Sequence, residues 1–290
     1  MDDKRSVIIF VATHVPFDAP DNPIYVPLHV GREGKEDLGY LGDNIGENIS
    51  DLNYLYGELT GLYWIWQNIH DIDYVGICHY RRYFLNEQGK EITREDCLRF
   101  LADTEVLISK HGDCRGNYRE HYGRAHNVKD LEAVGRALKR LYPECGEIFE
   151  EVMNGNIFFS GNLMVTGLPV LKAYAEWLFT IFAEASQEID VSGYDSYHRR
   201  VYGFLSEQML YVYMKAYGLS FRELPVGISQ EKAETKELKE KLKKLMSEGK
   251  REEAQRCLNS ALSVRPDLLL AGSDVYGELQ RVVRFMEKVT

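Results

Sequence analysis

The chain has 290 residues, 44% of them hydrophobic and 28% charged, with a formal net charge of −10. That is enough apolar material for one large core, alone or with an appendage. The acidic balance excludes a general nucleic-acid binder, which needs a basic face to displace condensed counterions, but it leaves room for a local basic pocket.

The five cysteines, Cys78, Cys97, Cys114, Cys145 and Cys257, are widely spaced and never form a CxxC pair. Neither a disulfide framework nor a zinc knuckle is expected, and a cytoplasmic location is. The opening "MDDKRSVIIFVA" holds too few apolar residues in a row for a secretory segment or a membrane span.

In chain order, the β-branched run at 7–12 predicts a first inner strand. Residues 16–48, dense in Pro, Gly, Asp and Asn, predict a long loop. Leu55, Leu59, Leu62, Trp66 and Ile69 fall at helical spacing and predict a helix over 55–69, capped by Ser50 or Asn53. A strand at 74–78 follows, then a helix over 93–102 whose Thr93 and Asp96 stand at capping-box spacing. Residues 106–109 predict a strand, and 110–127 a polar loop carrying His111, His121 and His126. An amphipathic helix marked by Leu131, Val134, Leu138 and Leu141 ends at Pro143. Residues 156–166 predict a strand broken at Gly161. A helix striped by Leu171, Tyr174, Leu178 and Phe182, a polar loop over 188–203 and a helix from Ser206 to Tyr217 complete the series. Strands alternating with helices predict an α/β layer structure, without fixing the strand order.

Beyond residue 230 Lys and Glu dominate, with Leu238, Leu242, Leu245 and Met246 on one face. Gly249, Ala254, Ala261 and Pro266 stand at the spacing of a tetratricopeptide unit. This predicts a main domain over 1–228 and a helical appendage over 229–290. One such unit cannot bury its own face, so the hairpin either caps the domain or docks a partner.

The chemistry gathers in "YVGICHYRRYFL", residues 74–85. An apolar strand runs straight into His79, Arg81 and Arg82, and two adjacent guanidinium groups are costly to bury without a counter-charge. In open α/β sheets, ligands collect at the carboxyl ends of the strands. A diphosphate suits arginine's planar fork, at roughly 1.5–3 kcal/mol per charge-assisted bond. The alternative is that one arginine pairs with an acidic loop residue and the other is solvated.

The block "LGDNIGENISDLNYLYGELTGLYWIWQNIHDIDYVGICHYRRYF" at 41–84, with "VPLHVG" at 26–31, Tyr122, His126 and Asp130 in a Y-x3-H-x3-D pattern, "FFSGNLMV" at 158–165, "YAEWLF" at 174–179 and "GFLSEQMLYVY" at 203–213, resembles a family of bacterial capsular and exopolysaccharide glycosyltransferases long catalogued as a domain of unknown function. The likeness covers about residues 6–226. It implies a GT-A-like nucleotide-diphospho-sugar transferase sheet with flanking helices, to which the C-terminal helical hairpin is added.

In GT-A folds an Asp-x-Asp motif at this strand end usually holds a divalent metal on the donor diphosphate. Here no carboxylate stands there. The resemblance therefore implies that Arg81 and Arg82, with His79, neutralise the diphosphate, with neither cofactor nor metal expected. The Asp71–Asp73 pair precedes the strand and belongs to the wrong end of the sheet. Thr13 and His14 follow the first strand, where such folds receive the nucleobase and ribose, unless they only close a turn. Asn44 and Asn48 either grip sugar or ribose hydroxyls or serve ordinary turns. Glu58 either contacts the donor sugar or favours the positive helix end. Tyr63, Trp64 and Trp66 are expected in the core rather than as a platform for the sugar.

For transfer to a hydroxyl a base is required. Glu207, after Ser206 as a possible helix cap, is the first candidate, and His126 and Asp130 follow. The remaining histidines of the 110–127 segment are expected to line the acceptor side. The implied partners are a UDP-sugar donor, with galactose or galactofuranose as the sugar, and a glycan or lipid-linked acceptor. A lipid-linked acceptor implies peripheral association with the inner face of the plasma membrane. The rival from another class is a non-catalytic module that binds nucleotide or glycan within a synthesis complex.

Overall fold

A computed structural model describes residues 4–228 and 233–264. Its main sheet is built from β1 (Val7–Thr13), β2 (Tyr25–His29), β3 (Leu41–Gly42), β4 (Tyr74–His79), β5 (Arg82–Phe84) and β6 (Val106–Ser109). A short pair outside it joins β7 (Gly112–Asp113) to β8 (Ile157–Phe158), and β9 (Met164–Gly167), β10 (Phe221–Leu224) and β11 (Val226–Ile228) return to the main sheet. The order along the sheet is β10-β6-β9-β4-β1-β2-β3, with β5 and β11 extending from β4.

All neighbours on the β3-β2-β1-β4 side are parallel, whereas β9 runs antiparallel between β4 and β6. This one reversal positions the site. Ile77 pairs with Met164, so the residues entering β9, Asn162 and Leu163, arrive beside the carboxyl end of β4.

Alternation along the strands feeds two apolar layers. Phe10 and Ala12 of β1, Val75 and Ile77 of β4, and Val106 and Ile108 of β6 face a large layer of helices. Val7, Ile9 and Val11, with Cys78 and Leu107, face a smaller layer holding Tyr83, Phe84 and Phe100. Burial on both faces explains why β1 reads as an unbroken hydrophobic run.

The helices are α1 (Asn53–Tyr56), α2 (Leu59–Asn68), α3 (Arg94–Phe100), α4 (Tyr118–Gly123), α5 (Val128–Leu141), α6 (Gly146–Asn154), α7 (Leu168–Ala185) and α8 (Val201–Tyr217). The capping box of α3 forms as the spacing predicts, Thr93 accepting from the Asp96 amide.

Several expectations need correction. The predicted loop at 16–48 contains β2 and β3, whose shortness and Pro27 mask their pattern. The single helix over 55–69 is two, because Gly57 takes φ +56 and turns the chain. The polar stretch 110–127 includes α4, started by a capping box between Asn117 and Glu120. The last helix of the main sheet's partners begins at Val201, one turn and a half before Ser206, so Ser206 is a buried interior residue and not a cap.

Beyond these, α9 (Ala233–Ser247) and α10 (Arg251–Val264) form the expected hairpin, turning at Gly249 with φ +72. Leu242, Ala254 and Leu258 are its own small core. Pro266 and the rest of the predicted appendage lie outside the described residues.

Candidate active site

The site is organised by the turn Ser160-Gly161-Asn162, which joins β8 to β9. Gly161 (φ +86) and Asn162 (φ +49) both adopt left-handed conformations, open to Gly and tolerated by Asn. A Cβ on Gly161 would lie 2.8 Å from Arg82 Nη1 and 2.8 Å from Leu163 Cδ1. Only glycine lets the guanidinium close on the turn.

Three consecutive side chains of α8 hold this segment. Ser206 Oγ donates to Asn162 Oδ1 at 2.9 Å, Glu207 Oε1 accepts from the Gly161 amide at 2.9 Å, and Gln208 Oε1 accepts from the Phe159 amide at 3.1 Å. From the other side, Asn162 Nδ2 donates to Glu58 Oε1 at 2.8 Å and to the Gly203 carbonyl at 3.1 Å. His79 Nε2–H donates to the Gly161 carbonyl at 2.7 Å, and the same nitrogen lies 3.7 Å from Glu58 Oε1. Glu58, His79, Arg82 and Glu207, on four separate elements, thus meet around one turn at the carboxyl end of β4.

Burial holds the His79 imidazole below its ordinary range; the Glu58 carboxylate opposes this and the Arg82 guanidinium reinforces it. The ring is therefore neutral at pH 7, with its proton on Nε2. Arg81 lies over the Tyr80 ring at 5.2 Å, and that ring meets His14 edge-on at 5.7 Å. Arg81 and exposed His14 so belong to the same rim, at the ends of β4 and β1.

Other predicted donor residues are placed differently. Thr13 Oγ1 donates to the Val15 carbonyl at 2.6 Å and accepts from its amide, closing the turn after β1. The Asn48 amide group serves its own loop, bonding Gly46 and Ser50, and Asn44 Nδ2 reaches Glu33 at 3.3 Å. The Gly-rich loop carrying both asparagines is anchored to α2 by the Trp64 indole, which donates to Ile45 at 2.8 Å. Its central post is Asp43, fully buried and accepting from the amides of Gly31 and Arg32 and from Ser50 Oγ. Trp64 is buried, and Tyr63 and Trp66 pack on Phe179 as core aromatics.

His126 and Asp130 lie apart from the Gly161 turn, in a cavity of about 350 Å³ lined also by Tyr122, Tyr194, His198 and Phe204. Asp130 Oδ2 accepts from the Tyr194 hydroxyl at 2.6 Å, and burial raises its carboxyl above the usual range. The Tyr122 phenol is pushed up by burial first, then by its neighbours Tyr118, Asp130, Tyr194 and Glu207. His111 and His121 do not line this cavity. His111 Nδ1 bonds Glu223 at 2.8 Å, and His121 is buried on α4 with its ring stacked on Phe158 at 4.4 Å.

At the opposite end of β4, Asp73 Oδ2 accepts from both the amide and the hydroxyl of Ser6. The letters Asp-Ile-Asp there are a strand clasp. A divalent cation of the kind usual in GT-A folds does not fit the donors at the carboxyl end: His79 Nε2 carries its proton toward a carbonyl, Glu58 accepts from Asn162, and Arg82 occupies the same turn. Among the described residues no three His, Cys, Asp or Glu side chains are grouped to hold a metal ion.

Asn162 and Gln208 are not singled out by the sequence, and Ser206 only as a possible helix cap. Their signal is the polar run "SGN" between two apolar strands and the unusual burial demanded of "SEQ" inside a helix.

The fold matches part of a solved glycosyltransferase: the apo structure of the bifunctional enzyme WbbM superposes with a TM-score of 0.72 at 27% identity, over 78% of this chain and 46% of that one. This chain thus spans about half of that relative's length. The family described as Domain of unknown function (DUF4422) matches residues 8–218, and the chain belongs to that family. No curated protein matches it.

Proposed function

We propose that this protein is a glycosyltransferase that takes a hexose, galactose or galactofuranose, from a UDP-sugar and attaches it to a hydroxyl of a growing bacterial surface polysaccharide. The reading rests on one observation above all: Glu58, His79, Arg82 and Glu207 converge on the Gly161 turn at the ligand-binding end of an α/β sheet. In this reading the donor diphosphate lies against Arg81 and Arg82, which stabilise the charge on UDP as the glycosidic bond to it breaks. Neutral His79 fixes the turn and leaves the guanidinium groups without a competing cation. Glu58 and Asn162 face the donor sugar, and Glu207 accepts the proton of the attacking hydroxyl.

The likeness to a bifunctional glycosyltransferase supports transfer. A module that only binds nucleotide would need the arginines but not the two carboxylates beside them. The metal-free form of the reaction is supported by the donor set, and the UDP moiety by the family resemblance. A lipid-linked acceptor would bring the protein to the inner membrane face; among the described residues no helix is long and apolar enough to cross a membrane.

The test is UDP release from UDP-galactose with and without alkyl hexosides as acceptors, in EDTA. Release that requires an acceptor and survives chelation supports the proposal. Release to water alone indicates hydrolysis, and tight UDP binding without turnover in any acceptor indicates the binding module.

A further inference from the structure

Two faces of α8 have different neighbours. Gly203 and Glu207 meet the Gly161 turn, whereas Val201 and Phe204 look into the cavity of His126 and Asp130. Phe204 and Glu207 are three residues apart, roughly 5 Å along the helix axis, a separation comparable to the width of a sugar ring.

The cavity is lined by both aromatic and polar side chains, and two of them, His126 and Phe204, are stacked on each other at 4.2 Å. Asp130 is 4% exposed, and among the described residues only its Oδ2 finds a hydrogen-bond donor, from Tyr194. The Tyr122 hydroxyl, on a residue 3% exposed, is buried without a hydrogen-bond partner. A buried hydroxyl of this kind asks for a polar group to be brought in.

We propose that this cavity is the acceptor subsite, holding a neutral hexose residue of the glycan beside Phe204 and His126, which line it, with its hydroxyls bonded to Asp130 and Tyr122. The proposal rests on the transferase reading and adds the acceptor's place and chemical class to it. Apolar side chains pack on the C–H side of a sugar, and a buried carboxylate accepts from hydroxyls in charge-assisted bonds. Asp195, on the same cavity and paired with His198 at 2.9 Å, adds a second carboxylate, so an acidic sugar is repelled and a neutral one favoured. Because Phe204 on the cavity and Glu207 at the turn are three residues apart on α8, a sugar seated here is a helix neighbour of the proposed base.

The experiment is saturation-transfer NMR on the full chain with methyl galactosides, methyl glucosides and a methyl glucuronide as probes, beside UDP binding on the same samples. The expected result is binding of at least one neutral hexoside and not of the glucuronide. Asp130→Asn and Phe204→Ala should each weaken the hexoside by about tenfold or more while leaving UDP affinity within about twofold. Arg82→Ala should do the reverse. Asp130→Asn keeps the side-chain shape, and its thermal midpoint confirms that the fold survives. No neutral hexoside bound at millimolar concentration by protein that binds UDP, or hexoside binding indifferent to both variants, overturns the acceptor site and leaves the transferase reading standing. Hexoside binding with the expected variant pattern, in protein that neither binds UDP nor transfers sugar, keeps the site and overturns the transferase reading.

Discussion

The two ends of β4 carry the same kinds of polar letters and use them in opposite ways. Just before its start Asp73 is clasped by Ser6, which precedes the neighbouring strand β1, through three hydrogen bonds between the two residues. At its end His79, with Arg82 of β5, meets the turn that leads into β9, and carboxylates from α8 and the start of α2 meet the same turn. The difference comes from topology. Only at the carboxyl end does the antiparallel entry into β9 bring a left-handed turn against the strand. A motif's place on the sheet therefore decides its chemistry before its residue types do.

This contrast can be broken or sharpened by substitution. The largest effect belongs to Glu207→Gln: transfer should fall by about a hundredfold or more if Glu207 is the base, while UDP affinity stays within about twofold. The amide oxygen of Gln can still accept from Gly161, so parallel loss of binding and turnover in steady-state and calorimetric measurements would move Glu207 to a purely structural role.

Next comes Gly161→Ala, which puts a Cβ 2.8 Å from Arg82 Nη1 at φ +86. Chemical denaturation should show a loss of about 1–3 kcal/mol, together with weakened UDP binding. Unchanged stability would mean that the guanidinium does not close on the turn.

A smaller effect concerns acid. The folded imidazole of His79 lies below its ordinary value because of burial, so between the unfolded and folded pKa the unfolded chain binds more protons. Its contribution is complete above about pH 6.5 and is lost as the pH falls toward the folded value. Thermal melts of His79→Gln against the parent should therefore show a shallower decline on acidification below that pH. Identical slopes would contradict the neutral, buried ring.

The smallest effect is predicted at the other end of β4. Asp71 has φ +54, a conformation Asn shares, so Asp71→Asn should leave UDP binding and turnover within about twofold. A large loss of activity would restore the Asp-Ile-Asp letters to a functional role.

The elements legible in the sequence were those whose pattern is set by burial on the spot: β1, β4 and β6 as β-branched apolar runs, and α5 and α7 as apolar stripes. The short β2 and β3 were hidden because each pairs with a long neighbour and needs little pattern of its own. Likewise α4 is held by Tyr118 and Tyr122 among polar letters, and the stripe through Leu55 and Leu59 continues across Gly57 although the chain turns there.

At the site, Glu58, His79, Arg82 and Glu207 stood out as charged groups beside apolar runs, and the fold brings them to one turn. Thr13 and Asn48 looked similar but are engaged in local turns, which short polar side chains fill for reasons unrelated to ligands. Asn162 and Ser206 are the reverse case. Their importance depends on contacts between segments far apart in the chain, and no local spacing announces it.

The central claim is that the guanidinium groups of Arg81 and Arg82 receive the donor diphosphate. It is tested most directly by calorimetric titration of UDP into the parent protein and into the Arg81→Ala, Arg82→Ala double variant, each in EDTA and again with manganese. The account predicts parent binding that chelation does not change and a loss of at least about tenfold in the double variant. UDP binding that requires manganese and ignores removal of both arginines would contradict it.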